Sequence, residues 1–424
     1  MKSNGWEVLA IDDVCTVTDC QHSTAPAVDY ETEYRMLRTV NIRDGRLRDI
    51  ETTKSVTEET YKKWSVRGYL EDGDVILTRE APMGEVAILK DEEYKFFLGQ
   101  RMLQLKVKKE IITPEFLYYS LQTSSMRHQI MMNEGTGSVV SNIRIPLLKK
   151  MQISVPSIKL QKKITLLLES IDSKYNNNNS MIKGLEELSQ ILFKQWFIDF
   201  EFPNEDGMPY KSSGGKMVDS EFGEIPEGWN IEYLSSSTEF LSGGTPKTKE
   251  STYWNGDIPF FTPKDVGSSV YTTNTEKTIT ELGLSKCNSR LYPKNTVFIT
   301  ARGTVGKVAL ANRDMAMNQS CFALKSRNEC QFYLYGAIKT LLREIIQGAN
   351  GAVFNAINLS DLNRLRLAMP QQGLIDKYEA IAITFFDQMS ALEFENINLQ
   401  ILRDTLLPKL LSGEIEIPDE SVVV

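Results

Sequence analysis

Gly137-Ser-Val-Val-Ser-Asn-Ile-Arg-Ile-Pro-Leu-Leu-Lys-Lys-Met-Gln-Ile-Ser-Val-Pro156 returns 214 residues later as Gly351-Ala-Val-Phe-Asn-Ala-Ile-Asn-Leu-Ser-Asp-Leu-Asn-Arg-Leu-Arg-Leu-Ala-Met-Pro370. Gly137 falls on Gly351 and Pro156 on Pro370, while Val139, Ile143, Leu148 and Ile153 fall on Val353, Ile357, Leu362 and Leu367. The match extends without a gap from Gly135–Phe200 to Ala349–Glu414. Along it Leu160, Ile164, Leu168, Ile171, Leu185 and Leu192 meet Leu374, Tyr378, Ala382, Phe385, Leu399 and Leu406. Two unrelated amphipathic helices would share a period, but they would not also align a strand and its closing proline. The chain is a duplication.

Outward from that repeat, each half opens alike, with Gly5-Trp6-Glu7-Val8 and Gly228-Trp229-Asn230-Ile231. Asp74–Thr78 and Thr296–Thr300 read as short buried strands, each followed by a glycine turn and a second strand, Met83–Ala87 and Val305–Ala309. Gln100 and Gln319 precede apolar stretches, and aromatic helices follow around Phe116–Tyr119 and Phe332–Tyr335. The expectation is two mixed α+β domains, 1–156 and 227–370, each of ordinary domain size. Between these islands Asp29–Thr60 is rich in arginine and acids, whereas Ser242–Thr280 is rich in Gly, Pro, Thr and Lys. One framework with unlike loops presents two surfaces.

After Pro156 the period changes to that of a helix, 157–200, with Ser157 as N-cap. Its seam runs through 164, 168, 171, 175, 182, 185, 192 and 196, in steps of three and four or their sums. Asn176–Asn179 are poor helix formers, but the unbroken register with the second copy predicts a continuous helix. Residues 201–226 read as a linker rich in Pro, Gly and Ser. A second spacer helix is expected over 371–414, its regular part stopping before Pro408, with a tail at 415–424. The fold class is therefore α+β: two mixed domains joined by two long antiparallel helices, related by an internal pseudo-two-fold, as a dumb-bell. That symmetry maps position i onto 574 − i, which pairs Tyr175 with Leu399, Ile182 with Leu392 and Leu185 with Met389. It sets Asn178 against Asn396 as a polar register lock in an apolar seam.

Bulk properties narrow the function. With 424 residues and 41% hydrophobic content the chain builds ordinary cores. It has no apolar run of membrane length, and its first ten residues lack a secretory pattern, so a cytoplasmic protein is expected. Five scattered cysteines argue against a disulfide framework, and Cys15, Cys20 and His22 lack a second ligand cluster, so no metal is expected. The net charge of −8 is uneven: 1–156 carries 21 basic against 23 acidic residues, 227–370 carries 16 against 12, and the remainder 11 against 21. The acidity sits mainly in the helices, linker and tail, which leaves the second domain basic enough to meet phosphate.

No Gly-rich phosphate loop, dinucleotide fingerprint, Asn-Pro-Pro-aromatic tetrapeptide or nucleophile elbow occurs, and histidine is nearly absent. The chain is read as non-catalytic, with no cofactor of its own. Leu192-Phe-Lys-Gln-Trp-Phe-Ile-Asp-Phe200, Gly207-Met-Pro and Gly223-Glu-Ile-Pro-Glu-Gly-Trp229 closely resemble the central region of specificity subunits of type I restriction–modification enzymes. Tyr253-Trp-Asn-Gly-Asp-Ile-Pro259, Phe261-Thr-Pro-Lys-Asp-Val266, Thr300-Ala-Arg-Gly-Thr-Val-Gly306 and Leu406-Leu-Pro-Lys-Leu-Leu-Ser-Gly-Glu-Ile415 are similar to that family as well. The first domain departs from it, with Thr78-Arg-Glu-Ala-Pro-Met-Gly84 in place of the Ala-Arg-Gly turn.

The resemblance implies a DNA-reading subunit whose two target recognition domains each read half of a split double-stranded site. Two methyltransferase subunits using S-adenosylmethionine and two motor–nuclease subunits using ATP and Mg would dock on it. The rival reading is a coiled-coil adaptor whose end domains bind proteins. For DNA contact the candidates are Arg43, Arg46 and Arg48 around the Asp44-Gly45 turn, Arg79, Lys247, Lys249, Lys264, Arg302, Asn142 and Asn355. Trp196, Phe197, Leu406 and Leu410 are the candidates for helix packing or methyltransferase docking.

Overall fold

The computed structural model describes residues 5–90, 93–132, 142–267, 269–348 and 356–417, with the side chains of 344–348 excepted. The chain forms two compact units: Met1–Ser173 with Leu399–Val424, and Lys174–Asn398. The helix Ile158–Phe197 begins in the first unit and ends in the second, and Gln372–Ser412 does the reverse.

In the first unit the strand Glu7–Ala10 pairs antiparallel with Gln152–Val155, so the start and end of the domain close on each other. Its main sheet has the order Cys15–Asp19, Met102–Val107, Val75–Thr78, Val86–Ile88, all antiparallel. Val75, Leu77, Leu103 and Leu105 pack on the aromatic helix Pro114–Leu121, which Thr113 caps by accepting the Phe116 N–H at 3.2 Å. Ile164 and Leu168 of one long helix join Leu407, Leu410 and Leu411 of the other in the same core.

The second unit repeats this plan. Asn230–Tyr233 pairs with Arg366–Met369, and a five-stranded sheet runs Thr238–Ser242, Cys321–Ser326, Val297–Thr300, Val308–Ala311, Tyr271–Thr272. Its first four strands match those of the first unit down to the register: Met102 faces Thr78 as Cys321 faces Thr300, and Leu103 faces Asp19 as Phe322 faces Ser242. The segments that diverge in sequence also converge in form. Tyr34–Leu37 lies between an antiparallel Lys54–Ser55 and a parallel Lys95–Leu98, just as Trp254–Phe261 lies between Thr278–Ile279 and Ala316–Met317. Strand pairing needs only backbone amides and an apolar face, so this second sheet survives a change of nearly every loop residue.

The first long helix passes unbroken through Asn176–Asn179. Facing contacts between the long helices run antiparallel within each unit, Asp172 to Arg403 in the first and Asn178 to Asn396 in the second. The expected stop before Pro408 is corrected: the helix continues to Ser412 with Pro408 inside it. Proline removes one bond and clashes with the previous turn, costing ~3 kcal/mol. Burying Leu407, Leu410 and Leu411 outweighs that cost, since each such side chain contributes about 1.5–3 kcal/mol. The helix ends at Gly413, where φ is 75° and an added Cβ would lie 2.8 Å from Trp6 Nε1. Residues 201–226, read as a linker, carry the hairpin Met217–Ser220/Gly223–Pro226, and Phe202 stacks on Trp229 with centroids 5.7 Å apart.

Candidate nucleic-acid interface

The two main sheets carry the same turn at the same place. Gly84 N–H donates to Thr78 O at 2.9 Å, and Gly306 N–H to Thr300 O at 2.9 Å. The threonine Oγ1 accepts the next strand's N–H, from Glu85 at 2.9 Å and from Lys307 at 3.0 Å. Arg79 N–H donates to Arg101 O at 2.7 Å and Ala301 N–H to Ser320 O at 2.8 Å, while Ile143 and Ile357 donate to Arg79 O and Ala301 O. Position by position, Arg79 therefore matches Ala301, Glu80 matches Arg302, and the αL residue Ala81 (φ 49°) matches Gly303 (φ 82°). Gln100-Arg101 stands where Gln319-Ser320 stands in the other unit.

This alignment sorts the arginines. Arg79 occupies the inward position: its Nη1 contacts both carboxylate oxygens of Asp19, at 3.1 and 3.0 Å, and its Nε donates to Ile143 O at 3.2 Å. It ties the turn to the loop after Cys15–Asp19, and Gln100 Nε2 adds a bond to His22 O at 2.8 Å. Arg302 is exposed, with no side-chain partner among the described residues. The turn Pro263–Asp265 lies beside it, since Thr304 Oγ1 donates to Pro263 O at 3.3 Å, and this sets Lys264 on the same surface. Lys264 faces Glu276 loosely at 3.9 Å. Lys247 and Lys249 are exposed on the loop after Thr238–Ser242, which Thr245 tethers to Gln319. The second unit thus gathers three loops carrying Lys247, Lys249, Lys264 and Arg302 around one turn.

The arginine hairpin of the first unit has a different surrounding. Asp44 (φ 53°) and Gly45 (φ 76°) make its turn, the left-handed pair that a two-residue hairpin requires. A Cβ on Gly45 would lie 2.6 Å from Gln122 Oε1, and Tyr118 Oη donates to Gly45 O at 2.7 Å, so the tip is packed against the scaffold. Arg46 pairs with Asp172 of the long helix at 3.3 Å, where Tyr119 Oη also donates at 2.8 Å and Arg403 approaches to 3.4 Å. Burial and that carboxylate push the Tyr119 phenol up, which keeps it a donor. Arg43 bonds Asp49 at 2.9 Å with both side chains open to solvent, and Arg48 is half-buried. Asn142 is half-buried next to Ile143; Asn355 lies outside the described residues.

Trp196 and Phe197 are buried in the second unit's core, both against Tyr378, at centroid distances of 6.0 and 5.0 Å. Leu410 is buried in the first unit's core and Leu406 packs at its edge. Asn178 Nδ2 donates to Asn396 Oδ1 at 3.0 Å and to Glu395 Oε2 at 2.8 Å, and Asn396 Nδ2 donates to Asn179 Oδ1 at 3.0 Å. The sequence reading did not single out Glu80 or Arg101: aligning Thr78–Gly84 with Thr300–Gly306 sets Glu80 against Arg302, and aligning Gln100 with Gln319 sets Arg101 against Ser320, but only the hydrogen bonds make the match position-specific.

Two copies of one framework, alike in backbone and unlike in side chains at the same turns, define a duplicated two-module recognition protein. Comparison with known proteins gives the family: the model described as type I restriction modification DNA specificity domain matches residues 3–187 and again 226–403. The chain belongs to this family of type I restriction–modification DNA specificity subunits. It is 28% identical to the MjaIX specificity subunit of Methanocaldococcus jannaschii over 371 residues, covering 86% of this chain and 83% of that one. It is 22% identical to the HindI specificity subunit of Haemophilus influenzae, covering 82% of this chain and 87% of that one. The crystal structure of the type I restriction–modification S subunit of M. genitalium shares the fold, with a TM-score of 0.58 at 17% identity over 99% of this chain and 98% of that one. Among the described residues no helix is long and apolar enough to cross a membrane.

Proposed function

We propose that this chain is the non-catalytic DNA reader of its type I complex, each domain reading one half of an asymmetric, bipartite double-stranded site. The observation that carries the reading is the turn pair: identical backbone bonds present Arg79-Glu80 in one module and Ala301-Arg302 in the other. Backbone identity supports a common docking geometry on the duplex, and side-chain difference supports two different half-sites. The long helices set the gap between half-sites, and their contacts within each unit hold each module to that frame.

Methyltransferase and motor–nuclease subunits dock on the assembly and carry the chemistry, with S-adenosylmethionine, ATP and Mg on those partners. Leu188 and Ile191, 52% and 61% exposed, lie one turn apart on one long helix, and Ile198, 45% exposed, follows just past its end; together they support a docking face. The test exchanges residues 227–370 for the matching segment of a relative and maps methylated adenines in the host genome. One half of the target should change and the other persist. A change in both halves would refute the two-module reading.

A further inference from the structure

We infer that Arg101, held by Glu80, is the base-contacting side chain of the first domain. The inference rests on the DNA-reading function and names the residue that performs it. In the second unit the exposed cation at the shared turn is Arg302, beside the neutral Ser320. In the first unit the equivalent outward position is Glu80, and the neighbour equivalent to Ser320 is Arg101. The positive charge has moved across the turn by one strand end. Of the neighbouring arginines, Arg79 is committed to Asp19 and Ile143, Arg46 to Asp172, and Arg43 pairs with Asp49 on its own hairpin.

The geometry suits base recognition. Arg101 has φ 70°, a left-handed conformation that arginine rarely adopts and that is retained where surrounding structure enforces it. The Arg79 N–H bond to Arg101 O, at 2.7 Å, fixes that backbone. The guanidinium is 52% exposed, and its Nε faces Glu80 Oε2 at 3.4 Å. Both terminal nitrogens have no partner among the described residues, so the fork that matches guanine O6 and N7 points free while Nε is held. Glu80, only 25% exposed, supplies a carboxylate where an unpaired guanidinium would otherwise bind any phosphate. The pair is therefore an arginine restrained against non-specific contact and released to a guanine edge.

The test uses the full chain purified with its methyltransferase subunit and duplexes carrying the site identified by adenine methylation, each with single base-pair changes. R101A, and R101G because glycine suits φ 70°, should bind the cognate duplex about 10- to 100-fold more weakly. Both should lose discrimination at one base pair of the first half-site, with the second half-site profile unchanged. R101K should not rescue it. E80A should raise affinity for non-cognate duplex and steepen its salt dependence, so that the ratio of cognate to non-cognate binding falls. If R101A and R101G lose affinity equally on every sequence, or R101K restores binding, Arg101 is a phosphate contact and the inference falls. If both variants bind like the parent while R302A binds weakly, the inference falls and the DNA-reading function stands. If R101A, R302A and K264A are all without effect, the DNA-reading assignment of these turns itself falls.

Discussion

Replacing Asn396 with leucine tests the polar layer between the long helices. Asn178 and Asn396 are both buried, and the replacement removes two of the three hydrogen bonds at the layer, those from Asn178 and to Asn179. Asn178 keeps only Glu395 as acceptor for its amide, and its Oδ1 is already buried without a partner. Two lost bonds at about 0.5–1.5 kcal/mol each, one of them between the two buried amides, give a destabilisation of about 2 kcal/mol. For a unit the size of Lys174–Asn398 that lowers the melting temperature by about 4–8 °C. Adding Asn178→Leu should recover most of the stability, because two apolar groups satisfy each other where one amide cannot.

The double variant should instead lose register. A slip by one heptad displaces one helix along the other by ~10 Å at ~1.5 Å per residue, or about three base pairs at ~3.4 Å each. The assay is urea unfolding of the parent, both single variants and the double, followed by methylation of duplexes whose gap is shortened or lengthened by up to three base pairs. Recovered stability with relaxed gap choice is the expected outcome. A double variant that selects the parental gap as sharply as the parent refutes the register lock.

Three further outcomes follow from the structure. Asp172→Ala removes the carboxylate shared by Arg46, Arg403 and Tyr119, so urea unfolding should register a loss of about 3–5 kcal/mol in the first unit. Pro408→Ala restores an amide inside a helix whose neighbours stay buried, and should raise stability by about 1–3 kcal/mol without altering DNA binding. Glu379 accepts the Tyr333 N–H at 2.6 Å, and burial pushes its carboxyl from 4.5 up to about 7. A raised folded-state value means the folded chain holds the extra proton, so its stabilisation is present below pH ~4.5 and is lost as pH rises to about 7. The melting temperature of the parent should therefore fall between pH 5 and 7.5 more than that of Glu379→Gln, and parallel profiles would refute the assignment.

The duplication, the paired framework strands and the long helices were legible in the chain because each leaves a local periodic trace. Pro156 aligns with Pro370, apolar residues recur at three and four, and Asn178 falls on Asn396 by symmetry alone. Pro408 was misread for the same reason: local propensity predicts a stop, whereas the burial of Leu407, Leu410 and Leu411 is a tertiary energy with no local signature. The second sheet shared by the two modules was invisible, since backbone pairing tolerates almost any side chain at its loops.

The roles of individual arginines were also decided by tertiary structure. Arg43, Arg46 and Arg48 look alike on a hairpin, yet Asp172 lies 126 residues from Arg46 in sequence and 3.3 Å from it in space. Arg79 and Arg101 differ in the same way, one turned onto Asp19 and the other outward. Charge in the sequence set how many cations the modules hold. Only the folded chain, by bringing distant carboxylates within bonding distance, decided which of them are tied to the scaffold and which stay exposed.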